Sequence, residues 1–541
     1  MHTSSQRSSV FFGRKRICAL LEKRLEAFCK GYRQNVGIVG PSFIGKSTLV
    51  QTFLKQIGQA EIIPIFFSCR EFDSFERFSE RWMGELLFSF HHAFGKSLPP
   101  NFQLLVRSLK EILPKTLERM RSVKKLVFKR RYDQAFQELL NLSSFFHQEC
   151  GRRILVVLDD FDRLGELKLS DPFHDLGKEI MVQKETMFIV TSSRTARSFS
   201  IFREKLSLLF GNFEVIELGP FDFDESRELI DGSLSGQILE DELKRFLIRI
   251  TDGHPYYLDF LLDRFKQCAH ETQSTNREIV IETLMQELSE RRGMLYQHFQ
   301  LRLYQLAQGR PRSLFADVLL AISLGHKKLS QIIRFLHQRG GDTQKILERL
   351  LNSETIQKHG SLFQIPDSLF RFWLGKVYYR ERFLSERAPV SSVQCFRDDI
   401  SQAIDQSSLG DKQELPRMIE ELFLKFRNDV VELNKQKFKC PHFTEVLSRP
   451  TNGRVFPIFA RNTQTRWLCQ VLSRRVMEDD IHMFIQDLKC LKESVHKKLI
   501  IGLQGIDLNA KLLAQEAKIQ YLDLRGFNFL LDLYGKPKLV V

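Results

Sequence analysis

Residues Val36 to Leu49 read Val-Gly-Ile-Val-Gly-Pro-Ser-Phe-Ile-Gly-Lys-Ser-Thr-Leu, and this stretch decides the fold. An apolar run enters a loop that begins at Gly40 and ends at Gly45, and Lys46 follows directly. The stretch satisfies the pattern G-x-x-x-x-G-K-[ST] at every specified position. The apolar residues before the loop predict a buried strand, and the residues after it predict a helix. Strand, loop and helix in this order predict a phosphate-binding loop in an α/β fold with a parallel sheet.

Phosphate binding requires each part of this loop. The glycines let backbone N–H groups surround a β-phosphate, and the following helix directs its positive end at the same group. Lys46 would reach the β- and γ-phosphate oxygens, and the Ser47 hydroxyl would bind Mg²⁺. A glycine-rich turn without a ligand is the alternative, and the strand and helix around the loop disfavour it. The predicted nucleotide-binding residues are Gly40, Pro41, Ser42, Phe43, Ile44, Gly45, Lys46, Ser47 and Thr48.

A second apolar run, Ile154 to Leu158, ends in a group of acids. An unbroken apolar run is typical of a central parallel strand, and ligands bind at the carboxyl ends of such strands. Asp159 is therefore predicted to hold Mg²⁺, and Asp160 to polarise the attacking water as a catalytic residue alongside Lys46. An acid pair that only caps the strand end is the alternative. Asp162 is interpreted as a helix cap or a surface residue.

A third apolar run, Met187 to Val190, is followed by hydroxyl side chains. Ser193 is the best candidate for a residue that senses the γ-phosphate, and Thr191 and Ser192 are the next candidates. Plain capping of the strand end is the alternative. The basic residues Arg194 and Arg197 are interpreted either as an arginine finger towards a neighbouring subunit or as a solvated turn.

The charge of the chain is high and uneven. Its 541 residues predict three or four domains, and the net charge of +15 favours acidic partners such as nucleic acid or an anionic membrane surface. Between Asn101 and Arg131 there are ten lysines and arginines and only two glutamates. This segment 101–131 is either an insertion that binds nucleic acid or a partner, or a solvated helical face.

The sequence also limits where the protein works. No run approaches the roughly 18 apolar residues that a membrane span needs, and residues Met1 to Arg16 lack the apolar core of a signal peptide. The nine cysteines stand singly, which is typical of reduced thiols. A cytoplasmic protein without a membrane partner is expected.

With these residues in view, the chain resembles the archaeal-type ATPases and their STAND-class relatives, within the AAA-like P-loop group. Phe11 to Leu21 is similar to the first motif of that group, and Gly253-His-Pro is similar to its G-x-P motif. The resemblance covers roughly residues 10 to 270 and implies ATP and Mg²⁺ as cofactors. It places Gly13 and Arg14 beside the adenine, and it implies a base-side or sensor contact from His254 and Pro255 in a small helical lid.

The order of segments after the second motif predicts further domains. Three amphipathic stretches and a hairpin around Gly360 predict a winged helix-turn-helix, which either binds DNA or clamps the nucleotide domain. The predicted domains are an ATPase core at 1–220, a helical lid at 221–305, the winged helix at 306–390, a linker at 391–411 and an α/β domain at 412–541. The cations available for DNA phosphates are Lys327, Lys328, Arg334, Arg339, Lys345 and Arg349.

The α/β order of the last domain resembles the restriction-endonuclease-like domain that ends several archaeal-type ATPases. Such a nuclease needs an Asp on one strand and an acid-x-Lys on the next. Phe456-Pro-Ile-Phe-Ala-Arg-Asn and Gln470-Val-Leu stand at those places, so the domain is predicted to be inactive. Activity through Glu478, Asp479 or Asp480 is the alternative.

The sequence thus predicts a molecular switch that binds ATP and hydrolyses it. Three roles fit these features. The first is an ATPase associated with double-stranded DNA through the winged helix and segment 101–131. The second is a STAND-type signalling ATPase that forms a homo-oligomer without binding DNA. The third is an ATP-driven nuclease, which needs the acids that the C-terminal domain lacks.

Overall fold

The structure, a computed structural model, describes residues 12–57, 61–70, 72, 74–95, 101–206, 213–234, 238–271, 274–307, 312–337, 340–383, 389–408, 415–433, 436–448, 456–490 and 494–539. These residues form two compact units. The first ends at Phe221 and the second begins at Asp222. The prediction for Phe11 lies outside the described residues.

A five-stranded parallel sheet is the centre of the first unit. Its strands stand in the order β2-β3-β4-β1-β5. All residues of β1 and β4 are buried, as expected for a parallel sheet that is covered on both faces. The predicted α/β class with a parallel P-loop ATPase core is therefore confirmed. The strands are β1 Asn35–Val39, β2 Ile62–Ser68, β3 Arg153–Asp159, β4 Thr186–Ser192 and β5 Phe213–Glu217.

Helices cover this sheet on both sides. Along β3, Ile154, Val156 and Leu158 pack into one hydrophobic core, and Leu155 and Val157 pack into the other. This alternation explains why the sequence run is apolar without a break. The helices are α1 Lys15–Cys29, α2 Lys46–Gln56, α3 Phe75–Ala93, α4 Phe102–Ser108, α5 Pro114–Phe128, α6 Tyr132–Cys150, α7 Pro172–Val182 and α8 Thr195–Ser200.

Helices precede a mixed sheet in the second unit. Strands β10, β11 and β12 pair antiparallel, and β12, β13 and β14 pair parallel, in the order β10-β11-β12-β13-β14. The strands are β6 Gln357–His359, β7 Leu362–Gln364, β8 Asp429–Leu433, β9 Gln436–Cys440, β10 Glu445–Ser448, β11 Phe456–Arg461, β12 Arg466–Leu472, β13 Lys497–Gly502 and β14 Gln520–Asp523. The helices are α9 Phe223–Ser233, α10 Asp241–Thr251, α11 Pro255–Glu271, α12 Asn276–Leu288, α13 Met294–Ala307, α14 Arg312–Ser323, α15 Leu329–Leu336, α16 Gly340–Asn352, α17 Ser368–Trp373, α18 Tyr379–Phe383, α19 Pro389–Ser408, α20 Leu415–Leu424, α21 Glu478–Cys490, α22 Leu508–Glu516 and α23 Leu524–Leu533.

The interpretation of 391–411 as a linker is corrected by the structure. Most of this segment belongs to α19, which packs into the unit through the buried side chains of Phe396, Ile400 and Ile404. Their spacing of four residues forms one apolar stripe along the helix, so the segment folds against its neighbours instead of only connecting them.

Helices α14, α15 and α16 and the hairpin β6–β7 stand where the sequence predicts three helices and a wing. We name them together the helix–hairpin segment, Arg312 to Gln364. Its hairpin packs against β8, because the Ser361 N–H donates to the Val430 oxygen at 3.0 Å and Leu362 lies in the hydrophobic core of the C-terminal sheet. Gly360 has φ +68°, and a Cβ there would overlap with the Val430 carbonyl group, so this turn requires glycine.

Across the described ranges, no helix is long and apolar enough to cross a membrane.

Candidate nucleotide site

The loop between β1 and α2 has the backbone that phosphate binding needs. Gly45 and Phe43 are in the left-handed region, with φ of 93° and 60°. A Cβ on Gly40 would overlap with the Leu218 carbonyl oxygen, because the end of β5 passes directly beside the loop. Glycine at positions 40 and 45 therefore lets the loop bend closely around a ligand.

Lys46 lies at the centre of this loop. Its side chain is buried, and its Nζ donates to the carbonyl oxygens of Gly40 at 2.8 Å and Pro41 at 2.6 Å. An ammonium group held in this position is placed to bind a phosphate that the loop surrounds.

Ser47 and Asp159 meet at the ends of two different elements. The Ser47 Oγ lies 2.9 Å from both carboxylate oxygens of Asp159, and the Thr191 hydroxyl donates to Asp159 Oδ1 at 2.6 Å. A hydroxyl and a carboxylate are the hard oxygen ligands that Mg²⁺ prefers. The donor set therefore fits Mg²⁺, which Ser47 and Asp159 would hold, and the Thr191 hydroxyl fixes the direction of the Asp159 carboxylate. That these residues bind the ion stays a prediction.

Asp160 is buried and held on several sides. Its backbone is left-handed, with φ of 53°, and its N–H donates to the Thr191 hydroxyl at 3.1 Å. Its carboxylate accepts a hydrogen bond from Ser193 Oγ at 3.0 Å and forms an ion pair with Arg70. The structure thus brings together the predicted catalytic residues Asp160 and Ser193, and it adds Arg70 to them.

The interpretation of Asp162 as a cap or surface residue is wrong. Its carboxylate is buried and accepts a hydrogen bond from Ser192 Oγ at 2.6 Å. The 3₁₀ turn Phe161–Glu166 folds this residue back against the end of β4. Arg194 lies near it, with Nε 3.7 Å from Asp162, and forms an ion pair with Glu166 at 2.9 Å.

The sequence analysis does not identify Arg70, and it ranks Thr191 below Ser193 as a candidate for sensing the γ-phosphate. Arg70 lies two residues beyond the end of β2, and Thr191 lies in β4. Both strands are direct neighbours of β3 in the sheet. The signal that could have found these residues is that the carboxyl ends of neighbouring parallel strands meet at one edge.

The predicted adenine-side residues lie beside the chain that follows β5. Arg14 is buried, has φ of 58°, and lies 4.6 Å from the centre of the Phe221 ring. It also donates to the Gly219 carbonyl oxygen, and Gly13 precedes it with φ of 70°. Their predicted contact with adenine stays a prediction.

The G-x-P motif lies in the second unit and forms a turn between α10 and α11. Asp252 and Gly253 have φ of 54° and 68°, and Pro255 is the first residue of α11. The His254 ring stacks near Tyr257, with ring centres 4.5 Å apart. The proposed base-side contact of His254 and Pro255 stays a prediction.

Segment 101–131 presents a basic face on α4 and α5. Helix α5 is anchored by its buried Leu117, Met120 and Val123, and the Glu149 carboxylate accepts hydrogen bonds from the N–H groups of its first turn. Ten basic side chains of this segment are exposed: Arg107, Lys110, Lys115, Arg119, Arg121, Lys124, Lys125, Lys129, Arg130 and Arg131.

Two of the cations predicted to contact DNA phosphates are already bound within the chain. Lys327 Nζ donates to the Leu533 carbonyl oxygen at 2.7 Å, and Lys328 forms an ion pair with Asp429 at 2.5 Å. These contacts contradict the prediction that both are available. Arg349 lies over the Phe315 ring. The exposed ones are Arg334 and Lys345, and Arg339 lies outside the described residues.

The acids of the C-terminal sheet do not form a metal site in the part of the chain that the structure describes. Asp480 pairs with Arg474 at 2.5 Å and accepts a hydrogen bond from the Met477 N–H at 2.9 Å, so it caps α21. Gln470 is buried in β12. The predicted lack of nuclease activity stays a prediction.

Comparisons with known proteins give one family match, which lies in the first unit, and several similar solved structures. Residues 10–177 match the family model of the AAA ATPase domain. A comparison with curated proteins finds no match. Among solved structures, a Walker-type ATPase of Pyrococcus abyssi is 18% identical with a TM-score of 0.47, and the match covers 68% of this chain and 97% of that one. The Orc2 protein of Aeropyrum pernix, solved in ADPNP–ADP complexes, is 14% identical with a TM-score of 0.43, and 73% and 98% are covered. The Orc1 protein of Aeropyrum pernix, solved in complex with DNA, is 12% identical with a TM-score of 0.38, and 69% and 95% are covered.

Proposed function

We propose that this chain is a Mg²⁺-dependent ATPase that works as a molecular switch on double-stranded DNA. The observation that carries the ATPase part is the arrangement of Lys46, Ser47, Asp159 and Asp160 at one edge of the parallel sheet. The AAA ATPase match covers all four residues. Phosphoryl transfer to water needs positioning and charge stabilisation, and these residues supply both.

Each residue has its own task in this reaction. The loop N–H groups and Lys46 bind the phosphates of ATP and stabilise the charge that develops on them. Ser47 and Asp159 hold Mg²⁺, which neutralises phosphate charge when bound. Asp160 orients the attacking water and accepts its proton, and Ser193 fixes the direction of the Asp160 carboxylate.

Arg70 controls when Asp160 can act. Both carboxylate oxygens of Asp160 have partners, Ser193 on one and Arg70 on the other. A water that binds the second oxygen would compete with Arg70 for it, because the charged guanidinium is the stronger donor. Arg70 is 44% exposed whereas Asp160 is 4% exposed, so Arg70 is the partner that has room to move.

The DNA part of the proposal rests on segment 101–131. Its ten exposed cations lie on α4, on α5 and in the residues next to them, and the core of the first unit holds α5 in place. Contacts of lysine and arginine with phosphates supply most of the affinity of proteins that bind DNA without reading its sequence. The helix–hairpin segment is a weaker candidate, since its hairpin and two of its lysines already have partners.

A STAND-type switch without DNA affinity is the second candidate. The packing of the hairpin against β8 favours it, because a hairpin that contacts its own chain is less accessible to DNA. This candidate predicts assembly that responds to ATP and no binding to duplex DNA.

A DNA-binding titration distinguishes the two candidate functions. Fluorescence anisotropy of a short labelled DNA duplex, with ATP and Mg²⁺, would be followed over a series of salt concentrations. The test variant reverses three exposed charges on or next to α5, and the control reverses three exposed lysines elsewhere in the first unit. The test variant is Arg121→Glu, Lys125→Glu and Lys129→Glu, and the control is Lys23→Glu, Lys178→Glu and Lys184→Glu.

We expect the natural chain and the control to bind with affinities that fall steeply with salt. In the α5 variant the slope of log affinity against log salt should decrease by about 2 to 3, since about 0.9 is lost for each phosphate contact. No binding at low salt, or an equal loss in both variants, would refute the DNA part and leave the second candidate.

A further inference from the structure

The second unit contains a cavity whose walls carry a large excess of positive charge. Its volume is about 750 Å³, and nine lysines and arginines line it against three aspartates. Helices α10 and α19, the helix–hairpin segment and the residues after α23 all contribute to its walls. Most small-molecule sites have volumes between about 300 and 1,000 Å³.

Some of this charge is compensated by carboxylates within the unit. Lys328 pairs with Asp429 at 2.5 Å and Lys376 pairs with Asp399 at 2.7 Å. Arg371 pairs with Asp532. These pairs account for the three aspartates of the lining. Two more cations of the lining pair with carboxylates outside it, Lys536 with Glu421 and Lys538 with Asp252 at 2.7 Å.

Four further cations of the lining bind main-chain carbonyl oxygens instead of carboxylates. Arg249 donates to the Gln406 oxygen at 2.8 Å, and Lys327 donates to the Leu533 oxygen at 2.7 Å. The remaining two donations are from Lys425 to the Tyr534 oxygen at 3.2 Å and from Arg427 to the Leu424 oxygen at 2.7 Å. Within the described residues, no carboxylate forms an ion pair with any of the four. A neutral carbonyl group satisfies a donor but does not cancel its charge.

The pKa values of two of these groups show that burial disfavours their charged forms. Burial, with the neighbouring Arg371 adding to it, lowers the pKa of Lys327 to about 8, and burial lowers the pKa of Arg249 to about 10. A cation whose pKa falls in this way is held in a place where further positive charge is unfavourable and an anion would be stabilised.

We propose that this cavity binds a small molecule that carries several phosphate groups. The four cations come from three parts of the lining, with Lys425 and Arg427 together on one of them, so they can contact more than one phosphate at a time, and the volume exceeds what a single phosphate occupies. Phe246 and Phe372 add apolar surface to the lining, which suits an organic group attached to the phosphates. Such a ligand contacts α10, the helix–hairpin segment and the C-terminal residues at once, so its binding couples these parts to one another. The site is independent of the proposed ATPase site and shares no residue with it.

The test is isothermal titration calorimetry of the full chain with inorganic tripolyphosphate. All proteins carry Lys46→Ala, so that the phosphate loop contributes little to the signal. The cavity variant is Arg249→Gln with Lys425→Gln, and the matched control is Arg334→Gln with Lys345→Gln, two exposed cations outside the cavity. If the cavity variant fails to fold, as judged by its thermal unfolding, the exposed Arg427→Gln replaces it.

We expect one bound tripolyphosphate per chain. Its affinity should fall by at least about tenfold in the cavity variant and by less than about twofold in the control, since one charge-assisted contact to phosphate corresponds to about a tenfold change. No binding, or equal affinity in the cavity variant and the control, would overturn the proposal. Displacement of tripolyphosphate by a short DNA duplex, with the same dependence on Arg249 and Lys425, would overturn the assignment to a small molecule.

Discussion

At the scale of single residues, the proposed function assigns to Asp160 the step that distinguishes ATP hydrolysis from ATP binding alone. Its carboxylate is buried, hydrogen-bonded to Ser193 and paired with Arg70. A carboxylate oxygen can accept two hydrogen bonds, so a water that approaches Asp160 Oδ2 would compete with Arg70 for it. In the proposed reaction the ion pair with Arg70 would therefore restrain catalysis, and only weakly because 44% of the Arg70 side chain is exposed.

We expect Arg70→Ala to raise the basal rate of ATP hydrolysis. An ion pair with a solvated partner is stabilising by up to about 1 kcal/mol, so the rate should rise by up to about fivefold. The measurement is steady-state phosphate release at saturating ATP. Arg77→Ala, which removes an exposed cation of α3, is the control and should leave the rate unchanged. A strong loss of activity in Arg70→Ala would show that Arg70 instead acts on the phosphates.

The low pKa of Lys327 gives the cavity of the second unit a pH dependence. Lys327 faces Arg371, Lys425 and Asp532, and its pKa lies at about 8, below its ordinary value of 10.5. Its charge is present below pH 8 and is lost above it, and an anion favours the charged form. We therefore expect the affinity for tripolyphosphate to fall between pH 7 and pH 9.

The variant Lys327→Gln separates this effect from the titration of the probe and of other cavity groups. Calorimetric titrations of both proteins at several pH values give the difference between their affinities, and this difference should shrink as pH rises through about 8. A difference that stays constant from pH 7 to pH 9 would contradict the account.

The sequence predicts some residues of the site well and others poorly. Lys46 and Ser47 stand in a contiguous motif, and Asp159 follows an apolar run, so their roles can be deduced from local pattern. Arg70 and Asp162 stand in no motif. Their positions depend on which strand ends become neighbours in space, and a linear pattern does not contain that information.

At the scale of elements, the hairpin β6–β7 is held against β8 by close backbone packing. Gly360 makes this approach possible because it has φ +68° and no Cβ to meet the Val430 carbonyl group. Gln364 at the end of the hairpin donates to Asp532 at 2.6 Å. Burial raises the pKa of Asp532, but Arg371, Lys538 and Lys327 outweigh it and hold the pKa below its ordinary value.

We expect Gly360→Ala to destabilise the second unit by at least about 2 kcal/mol, because alanine is strained at this φ and its Cβ overlaps with backbone. Gly341→Ala is the matched control. Gly341 lies in the first turn of α16 with open space around it, so alanine there should leave the free energy of unfolding unchanged or raise it by up to about 1 kcal/mol. Urea unfolding of both variants, followed by circular dichroism, gives the comparison. Equal stability of the two variants would show that the hairpin does not pack on β8 in solution.

Helices and strands with a strong hydrophobic pattern can be predicted from the sequence, and those with a weaker pattern cannot. The strands β1, β3 and β4 are apolar runs that end in polar residues, and the helices of the helix–hairpin segment have clear periodicity. In α19 several polar residues separate each of the apolar residues Phe396, Ile400 and Ile404 from the next, so the pattern is weak and the sequence predicts a linker there. Helices of this kind are stabilised by packing more than by their own propensity.

At the scale of the whole molecule, the charge predicted from composition has two different arrangements. In the first unit the basic residues of 101–131 stand on an exposed helical face, which suits the surface of a duplex. In the second unit cations line a concave cavity, which suits a small anion. The net charge of +15 predicts an acidic partner, but it does not indicate whether the basic residues lie on an exposed surface or line a cavity.

The central claim is that Lys46 binds and activates ATP. The most direct test is ATP hydrolysis with Mg²⁺ by the natural chain, by Lys46→Ala, and by Lys55→Ala, which removes an exposed lysine at the other end of the same helix. We predict hydrolysis by the natural chain and by Lys55→Ala at similar rates, and a loss of about a hundredfold or more in Lys46→Ala. No hydrolysis by the natural chain, or equal rates in the two variants, would contradict the account.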